Sequence, residues 1–111
     1  MLKSVITGRL CSDPTTAEYN GKPCTQFRVA VSTAFKDESG QYLTNFVTVS
    51  AWNKLAETCT RLTKGQIVTA LGSFGVRPYK TRDGKDSFSC DLRADEVQFD
   101  PKSSAPVDPF N

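Results

Sequence analysis

The clearest strand signal in this chain is Asn45-Phe46-Val47-Thr48-Val49-Ser50-Ala51-Trp52, which alternates strictly between two kinds of side chain. Val47, Val49 and Ala51 make one apolar face that suits a core. The opposite face carries Phe46 and Trp52 with two hydroxyls between them, although it is the face expected to meet water. Exposed rings on a rigid sheet usually mark a binding surface, and proteins stack unpaired nucleic-acid bases on such rings. The alternative is that both rings lie under a neighbouring loop or a partner subunit.

Alternating stretches and turn signals on both sides of this strand predict four more strands. Tight turns are indicated at Asn20-Gly21 and Asp83-Gly84. The five predicted strands are Leu2–Leu10, Gln26–Ser32, 42–52, Ile67–Val76 and a last strand after the turn at Asp83-Gly84. The apolar face of the fourth strand carries Val68, Ala70, Phe74 and Val76. The apolar face of the fifth carries Phe88, Cys90, Leu92 and Ala94.

One short helix is predicted after the third strand. Asn53 is a suitable N-cap, and Gly65 suits the position just after a helix C-terminus. Between them, apolar residues recur on one helical face over about 11 residues, namely Leu55, Ala56, Cys59 and Leu62. Five strands with a helix between the third and fourth is the order of the OB-fold, a five-stranded Greek-key barrel whose face binds oligonucleotides or oligosaccharides. The prediction is therefore an all-β fold with one short helix; the single helix argues against another small barrel or a sandwich.

Length and composition predict one domain with a short tail. A chain of 111 residues suffices for one core, which we assign to residues 1–99. Residues 100–111 contain three prolines and little to bury, so we predict a disordered C-terminal tail. No apolar stretch approaches the roughly 20 residues that a membrane helix needs. The N-terminus resembles neither a secretory signal nor a transit peptide, so a cytoplasmic location is expected.

The residues that catalysis or metal binding require are scarce. The chain has no histidine, and its four cysteines form no Cys-x-x-Cys pair, so no cofactor or metal site is predicted. The cysteines are expected to be reduced, structural thiols. There is no phosphate-binding glycine loop and no recognisable nucleophile with its base, which argues against an enzyme.

Positive charge is concentrated near one predicted turn. The net charge is only +2, but Arg-Pro-Tyr-Lys-Thr-Arg-Asp-Gly-Lys, residues 77–85, sets four cations and a tyrosine against one aspartate. A basic hairpin tip with an aromatic ring suits contact with backbone phosphates. The alternative is a solvated turn that its charges keep soluble.

Several short stretches carry a family resemblance. They are Gly8-Arg9-Leu10 with Asp13-Pro14, Phe27-Arg28-Val29-Ala30-Val31, Ala51-Trp52-Asn53-Lys54-Leu55-Ala56-Glu57, Lys64-Gly65, Asp83-Gly84 and Ala94-Asp95-Glu96-Val97-Gln98-Phe99. In this order and spacing, from about Ser4 to Phe99, the chain resembles the bacterial single-stranded DNA-binding protein family. The resemblance implies a homotetramer of OB-folds around which single strands wrap, with bases stacked on a few aromatic rings.

The resemblance also implies site residues. Stacking rings are expected at Phe35, Phe46, Trp52 and Tyr79. Phe35 shares the inward phase of Phe27 and Val29, so its binding requires the strand to bend or end first. The cations expected to contact phosphates are Arg28, Lys54, Arg77, Lys80, Arg82 and Lys85.

The function that follows is non-enzymatic, largely sequence-independent binding and protection of single-stranded DNA in replication, recombination and repair. The alternative is an OB-fold interaction subunit of a replication or primosome complex with weak nucleic-acid binding. Outward Ile67 and Leu71 would be explained by a subunit interface. The family commonly ends in acidic residues and Asp-Ile-Pro-Phe, which dock partner proteins. Here Pro109-Phe110 is followed by Asn111, with one nearby acid, so docking of replication or repair proteins is expected to be weak.

Overall fold

A computed structural model describes residues 2–99, so the predicted tail at 100–111 lies outside the described residues. The described residues form six strands and one helix. They are β1 (Lys3–Leu10), β2 (Thr15–Tyr19), β3 (Lys22–Lys36), β4 (Tyr42–Trp52), α1 (Lys54–Cys59), β5 (Ile67–Lys80) and β6 (Asp86–Phe99). Among the described residues, no helix has the length and apolar character needed to cross a membrane.

Five of the strands close into a ring, in the order β1-β5-β6-β4-β3. The ring closes where the end of β1 pairs with β3, with Arg9 opposite Ala30 and Leu10 opposite Val29. The pairing of β4 with β6 is parallel, whereas the other neighbours are antiparallel. The predicted all-β, five-stranded OB-fold barrel is confirmed.

The short strand β2 is the element that the sequence did not predict. Among the strands of residues 2–99 it pairs with β3 alone, through the turn at Asn20-Gly21, and forms a hairpin on the edge of the barrel. All five of its residues are exposed. A strand with no buried face has no apolar alternation, and that is why the pattern gave no signal for it.

The core lies inside the ring and confirms the assignment of the β4 faces. Val47, Val49 and Ala51 are buried and belong to one cluster with Val29 and Leu92 from the neighbouring strands. The outward phase of β4 is left for Phe46, Thr48, Ser50 and Trp52, none of which is buried.

The helix is shorter than predicted, six residues rather than about 11, although the predicted apolar face is confirmed. Ala56, Cys59 and Leu62 are buried, with Leu62 in the turn after α1. Asn53 stands at the cap position, but its side chain makes no capping hydrogen bond. Its φ is 58°, and its backbone carbonyl accepts the Ala56 N–H at 3.1 Å, so the main chain rather than the side chain starts the helix.

Two hairpins project beyond the barrel. We call them the β3–β4 arm (residues 31–46) and the β5–β6 arm (residues 76–90), because β4 and β6 pair only from Val47 and Cys90 onward. Val76 and Phe88 were predicted on the apolar face, yet both are exposed, Phe88 by 67%. The prediction of burial is wrong there because the arm strands have no facing layer to pack against.

The β3–β4 arm contains the bend that Phe35 requires. The pairing of β3 with β4 shifts register between Ser32 and Lys36, and Phe35 within this bulge is exposed. Its backbone N–H donates to the Thr33 hydroxyl at 3.1 Å. A bulge re-aims the side chains that follow it, so the inward parity of Phe35 does not persist.

A separate apolar area, the β1–β5 patch, lies on the outside of the barrel and consists of Val5, Ile67 and Leu71. All three side chains are exposed, as the phase of Ile67 and Leu71 predicted. Val5 pairs with Leu71 in the register, and the hydroxyls of Thr7 and Thr69 hydrogen-bond at 2.9 Å between the apolar residues.

Candidate nucleic-acid interface

The outer face of β3, β4 and β6 presents polar side chains in its middle and aromatic rings at its two ends. In the register, Arg28 of β3 lies opposite Thr48 of β4, and Thr48 lies beside Asp91 of β6. One row further, Ser50 lies beside Arg93. Phe46 and Trp52 lie on either side of these rows, on the same face of β4. Both rings therefore have the outward orientation that the sequence predicted.

A groove of about 560 Å³ runs between the two arms. Residues from β3, β4, β5 and β6 line it; in the register of the β5–β6 arm, Arg77 and Tyr79 share one phase, whereas Phe88, opposite Pro78, has the other. The lining residues are Arg28, Phe46, Thr48, Arg77, Tyr79, Phe88, Ser89 and Cys90. Four of the predicted site residues therefore converge here from three different strands, together with Phe88, which the sequence placed in the core.

Arg28 and Phe46 already interact in the groove. The Arg28 guanidinium carbon lies 4.6 Å from the centroid of the Phe46 ring, a cation–π contact. The contact orients both side chains and covers part of one ring face. A base arriving here has a guanidinium plane as well as a ring on which to stack.

Trp52 belongs to a second cluster at the other end of the outer face. Its ring centroid lies 5.6 Å from that of Tyr19, and the rings are tilted by 52°. The guanidinium carbon of Arg93 lies 5.5 Å from the Trp52 ring. Tyr19 comes from the β2–β3 hairpin, so Trp52 is half-buried and not a freely exposed ring. Neither Tyr19 nor Arg93 was among the predicted site residues.

Three of the four cations of the β5–β6 arm, Arg77, Lys80 and Lys85, are held in exposed ion pairs. Arg77 Nε lies 3.2 Å from an Asp91 oxygen, and Lys80 Nζ lies 3.3 Å from one of Asp86. Lys85 Nζ reaches Asp83 at 4.0 Å. Such surface pairs contribute little to stability, so a phosphate can replace the carboxylate at small cost.

The carboxylate of Asp83 is kept charged by its own turn. The Thr81 hydroxyl donates a hydrogen bond that lowers the pKa of Asp83 below its usual range. The tip of the arm therefore holds the carboxylates of Asp83 and Asp86 among three cations, Lys80, Arg82 and Lys85. The net charge remaining on the arm tip is positive, and it faces the solvent.

The remaining predicted residues lie outside the groove. Phe35 is exposed on the bulge of the β3–β4 arm, and Lys54 is exposed at the start of α1. Arg82 is exposed in the turn between β5 and β6, and Lys85 is exposed next to it. Lys80 lines a smaller space of about 430 Å³ at the arm tip with Tyr79 and Phe88.

Three residues near the rings were missed, for different reasons. Arg93 alternates outward on β6, and its phase alone was a usable signal. Tyr19 lies on a strand without periodicity, so nothing in the pattern identified it. Phe88 lies in the apolar phase of its strand, so the pattern assigned it to the core and not to the site.

The four cysteines are free thiols. Burial raises the pKa of the Cys59 thiol to about 11. Burial also raises the pKa of Cys24, which lies opposite Trp52 in the register, while the nearby Arg93 charge opposes the shift. Among residues 2–99, no three Cys, Asp or Glu side chains are grouped to hold a metal ion.

Comparison with known proteins gives a consistent result. The model of the "Single-strand binding protein family" matches residues 1–100. The single-stranded DNA-binding protein of Caldanaerobacter subterraneus subsp. tengcongensis is 35% identical over 104 residues, which is 91% of this chain and 69% of that protein. The single-stranded DNA-binding protein 2 of Chlorobaculum tepidum is 34% identical over 100 residues, covering 86% of this chain and 68% of that protein.

A solved structure shares the architecture. The crystal structure of the small single-stranded DNA-binding protein from Streptomyces coelicolor superimposes with a TM-score of 0.73 at 26% identity. The match covers 89% of this chain and 94% of that one. The arms and the barrel therefore belong to a fold already seen in a protein with that name.

Proposed function

The chain belongs to the single-strand binding protein family, and from that premise we propose that it binds single-stranded DNA through the groove between its arms. Binding is largely independent of base sequence and involves no catalysis. It protects single strands during replication, recombination and repair in the cytoplasm. The observation that carries the proposal is the convergence of three rings and two arginines from four strands in one groove.

The chemistry of the groove supports single strands over duplex. Every base has a π-face, so stacking on Phe46 and Tyr79 is indifferent to base identity, whereas duplex DNA hides those faces. Arg28 and Arg77 supply charge for the phosphates. Trp52, with Tyr19 and Arg93 around it, extends the same surface along β4.

The cations of the β5–β6 arm contribute to affinity rather than to selectivity. Lys80, Arg82 and Lys85 are exposed at its tip, where a strand leaving the groove passes. Lys54 and Phe35 lie farther out, and we assign them to the continuation of a longer bound strand. Residues 1–99 suffice for this binding, so deleting Pro101–Asn111 leaves the affinity unchanged; docking of replication or repair proteins through those residues is weak.

We also propose that the protein assembles as a homotetramer through the β1–β5 patch. Its apolar residues Val5, Ile67 and Leu71 are aliphatic and exposed. Exposed Glu96, opposite Leu71 in the register, accepts a hydrogen bond from the Gln98 amide, and two other charges near the patch are engaged within the chain. Lys3 Nζ lies 2.5 Å from Asp95, and Arg9 Nη1 donates to the Gly65 carbonyl at 2.7 Å. Assembly removes the patch from water and joins several grooves into one long path.

The proposal is tested by competition. Fluorescence anisotropy of labelled oligo-dT measures binding, and unlabelled single strands of mixed sequence should compete about as well as oligo-dT. The annealed duplex of the same sequence should compete poorly. Equal competition by duplex and single strand would contradict base stacking as the mode of binding.

A further inference from the structure

Phe88 is the most exposed of the three rings that line the groove between the arms. It is 67% exposed, against 47% for Phe46 and 48% for Tyr79. The alternation of β6 is that of a buried position, but the arm carries Phe88 beyond the core and into the groove wall. A phenylalanine ring has a higher free energy in water than in an apolar environment. A ligand or a partner that covers the Phe88 ring therefore gains binding free energy from it.

The face of the Phe88 ring is also free. Arg28 covers part of Phe46, and Trp52 is shared between Tyr19 and Arg93. Among residues 2–99, no other ring or cation stacks on Phe88. A flat apolar group can therefore lie on Phe88 without meeting a cation already stacked on the ring, whereas Arg28 occupies part of the Phe46 ring.

The remaining walls of the groove define the chemistry of its occupant. Arg28 and Arg77 bring two guanidinium groups and Thr48 brings a hydroxyl, whereas the Ser89 hydroxyl donates to Asp91 at 2.9 Å. Asp91 holds Arg77 through Nε, and the terminal nitrogens point to no other partner among the described residues. An apolar segment of a second copy would leave these charges desolvated, which is strongly unfavourable. A ligand with a flat face and a negative charge can stack on the ring and pair with the guanidinium groups, so it matches the chemistry of the groove.

We infer that Phe88 is a base-stacking residue and that the groove holds one nucleotide of the bound strand. Its base lies on Phe88, and its phosphate lies toward Arg28 and Arg77. The volume of about 560 Å³ is in the range of pockets that hold small ligands. The inference rests on the proposed single-stranded DNA binding and adds a ring that neither the alternation of β6 nor the family resemblance indicated.

The experiment compares three substitutions at Phe88 by anisotropy with labelled oligo-dT at one salt concentration. Phe88→Ala should weaken binding by about 5- to 150-fold, the range measured for loss of one stacked base. Phe88→Leu keeps apolar bulk without a π-face and should also bind more weakly than the original chain. Phe88→Tyr keeps the ring and should bind within about twofold of it.

Leu43→Ala is the matched control, because Leu43 is an exposed apolar residue on the β3–β4 arm that does not line the groove. It should leave the affinity unchanged. Light scattering on every variant checks the mass, and a thermal melt checks the fold. If Phe88→Ala does not fold, the affinities of Phe88→Leu and Phe88→Tyr are compared with each other and with that of the original chain.

The outcomes separate this inference from the proposed function. If the Phe88 variants bind like the original chain while Trp52→Ala binds weakly, Phe88 does not stack bases and the proposed function stands. A changed mass with unchanged affinity would make Phe88 a subunit contact and would likewise overturn the inference. If the original chain does not bind oligo-dT, the proposed function fails, and the inference fails with it.

Discussion

The outside of this barrel has two apolar areas, and they differ in the kind of side chain that they expose. The groove exposes flat rings interleaved with guanidinium groups, as in the contact of Arg28 with Phe46. The β1–β5 patch exposes the aliphatic side chains Val5, Ile67 and Leu71, and near its edge Lys3 pairs with Asp95 and Arg9 donates to the Gly65 carbonyl. Rings beside guanidinium groups suit a stacked, negatively charged ligand, whereas aliphatic side chains suit another protein surface.

The largest expected effect is on assembly. Introducing Ile67→Asp together with Leu71→Asp places two carboxylates in each proposed subunit interface, where burying unpaired charge is prohibitive. We expect the mass measured by light scattering to fall from that of a tetramer to that of a smaller species. Leu43→Asp with Val76→Asp is the matched control on exposed residues of the arms. A single-copy mass of about 12 kDa for the unaltered protein would show that the patch is not a tetramer interface.

The second effect concerns the rings of β4. Phe46→Ala or Trp52→Ala should each weaken single-strand binding by about 1–3 kcal/mol, without changing the mass or the fold. Val49→Ala provides the contrast on the inward face, because it should lower the unfolding free energy and leave the affinity of the folded protein intact. The interpretation is wrong if a ring variant behaves like Val49→Ala.

The third effect is electrostatic and smaller. Replacing Lys80, Arg82 and Lys85 by Gln should reduce the magnitude of the slope of log affinity against log salt concentration by up to about 2. Each phosphate contact with single strands contributes roughly 0.7 to that slope. Arg61→Gln with Lys64→Gln, both exposed beyond α1, should leave the slope unchanged. An unchanged slope in the triple variant would mean that the arm cations are only solvated charges.

The smallest effect is a change in thiol reactivity. Cys90 lines the groove and is half-buried, whereas Cys11 is half-buried away from the groove. Oligo-dT should slow alkylation of Cys90 in proportion to the bound fraction, and Cys11 should react at the same rate with or without DNA. Cys59, whose pKa burial raises to about 11, should stay unreactive near pH 8. Equal protection of Cys90 and Cys11 would mean that DNA does not occupy the groove.

The comparison also explains how far the sequence alone could predict the molecule. Alternation predicted the core faces of β4 and the exposure of Ile67 and Leu71, because in the barrel every inward position faces a packed layer. The same alternation failed at Val76 and Phe88, because the β5–β6 arm continues the pattern without a layer beneath it. Periodicity describes which side chains share a face, but burial depends on what the fold places against that face.

The site was predictable where phase or resemblance identified a residue, and not where contact between distant segments created it. Phe46 and Trp52 follow from the phase of β4. The pairing of Trp52 with Tyr19 depends on where the β2–β3 hairpin folds, and the grouping of Arg28 with Arg77 depends on closure of the barrel. No local pattern encodes either distance.

The most direct test of the account is the fluorescence of Trp52 during titration with oligo-dT. Trp52 is the chain's one tryptophan, so its emission reports this face alone. We predict saturable quenching by oligo-dT, little quenching by the matching duplex, and reversal of the quenching by added salt. Emission that stays unchanged while anisotropy shows that oligo-dT is bound would contradict the account, because the DNA would then lie on another face of the barrel.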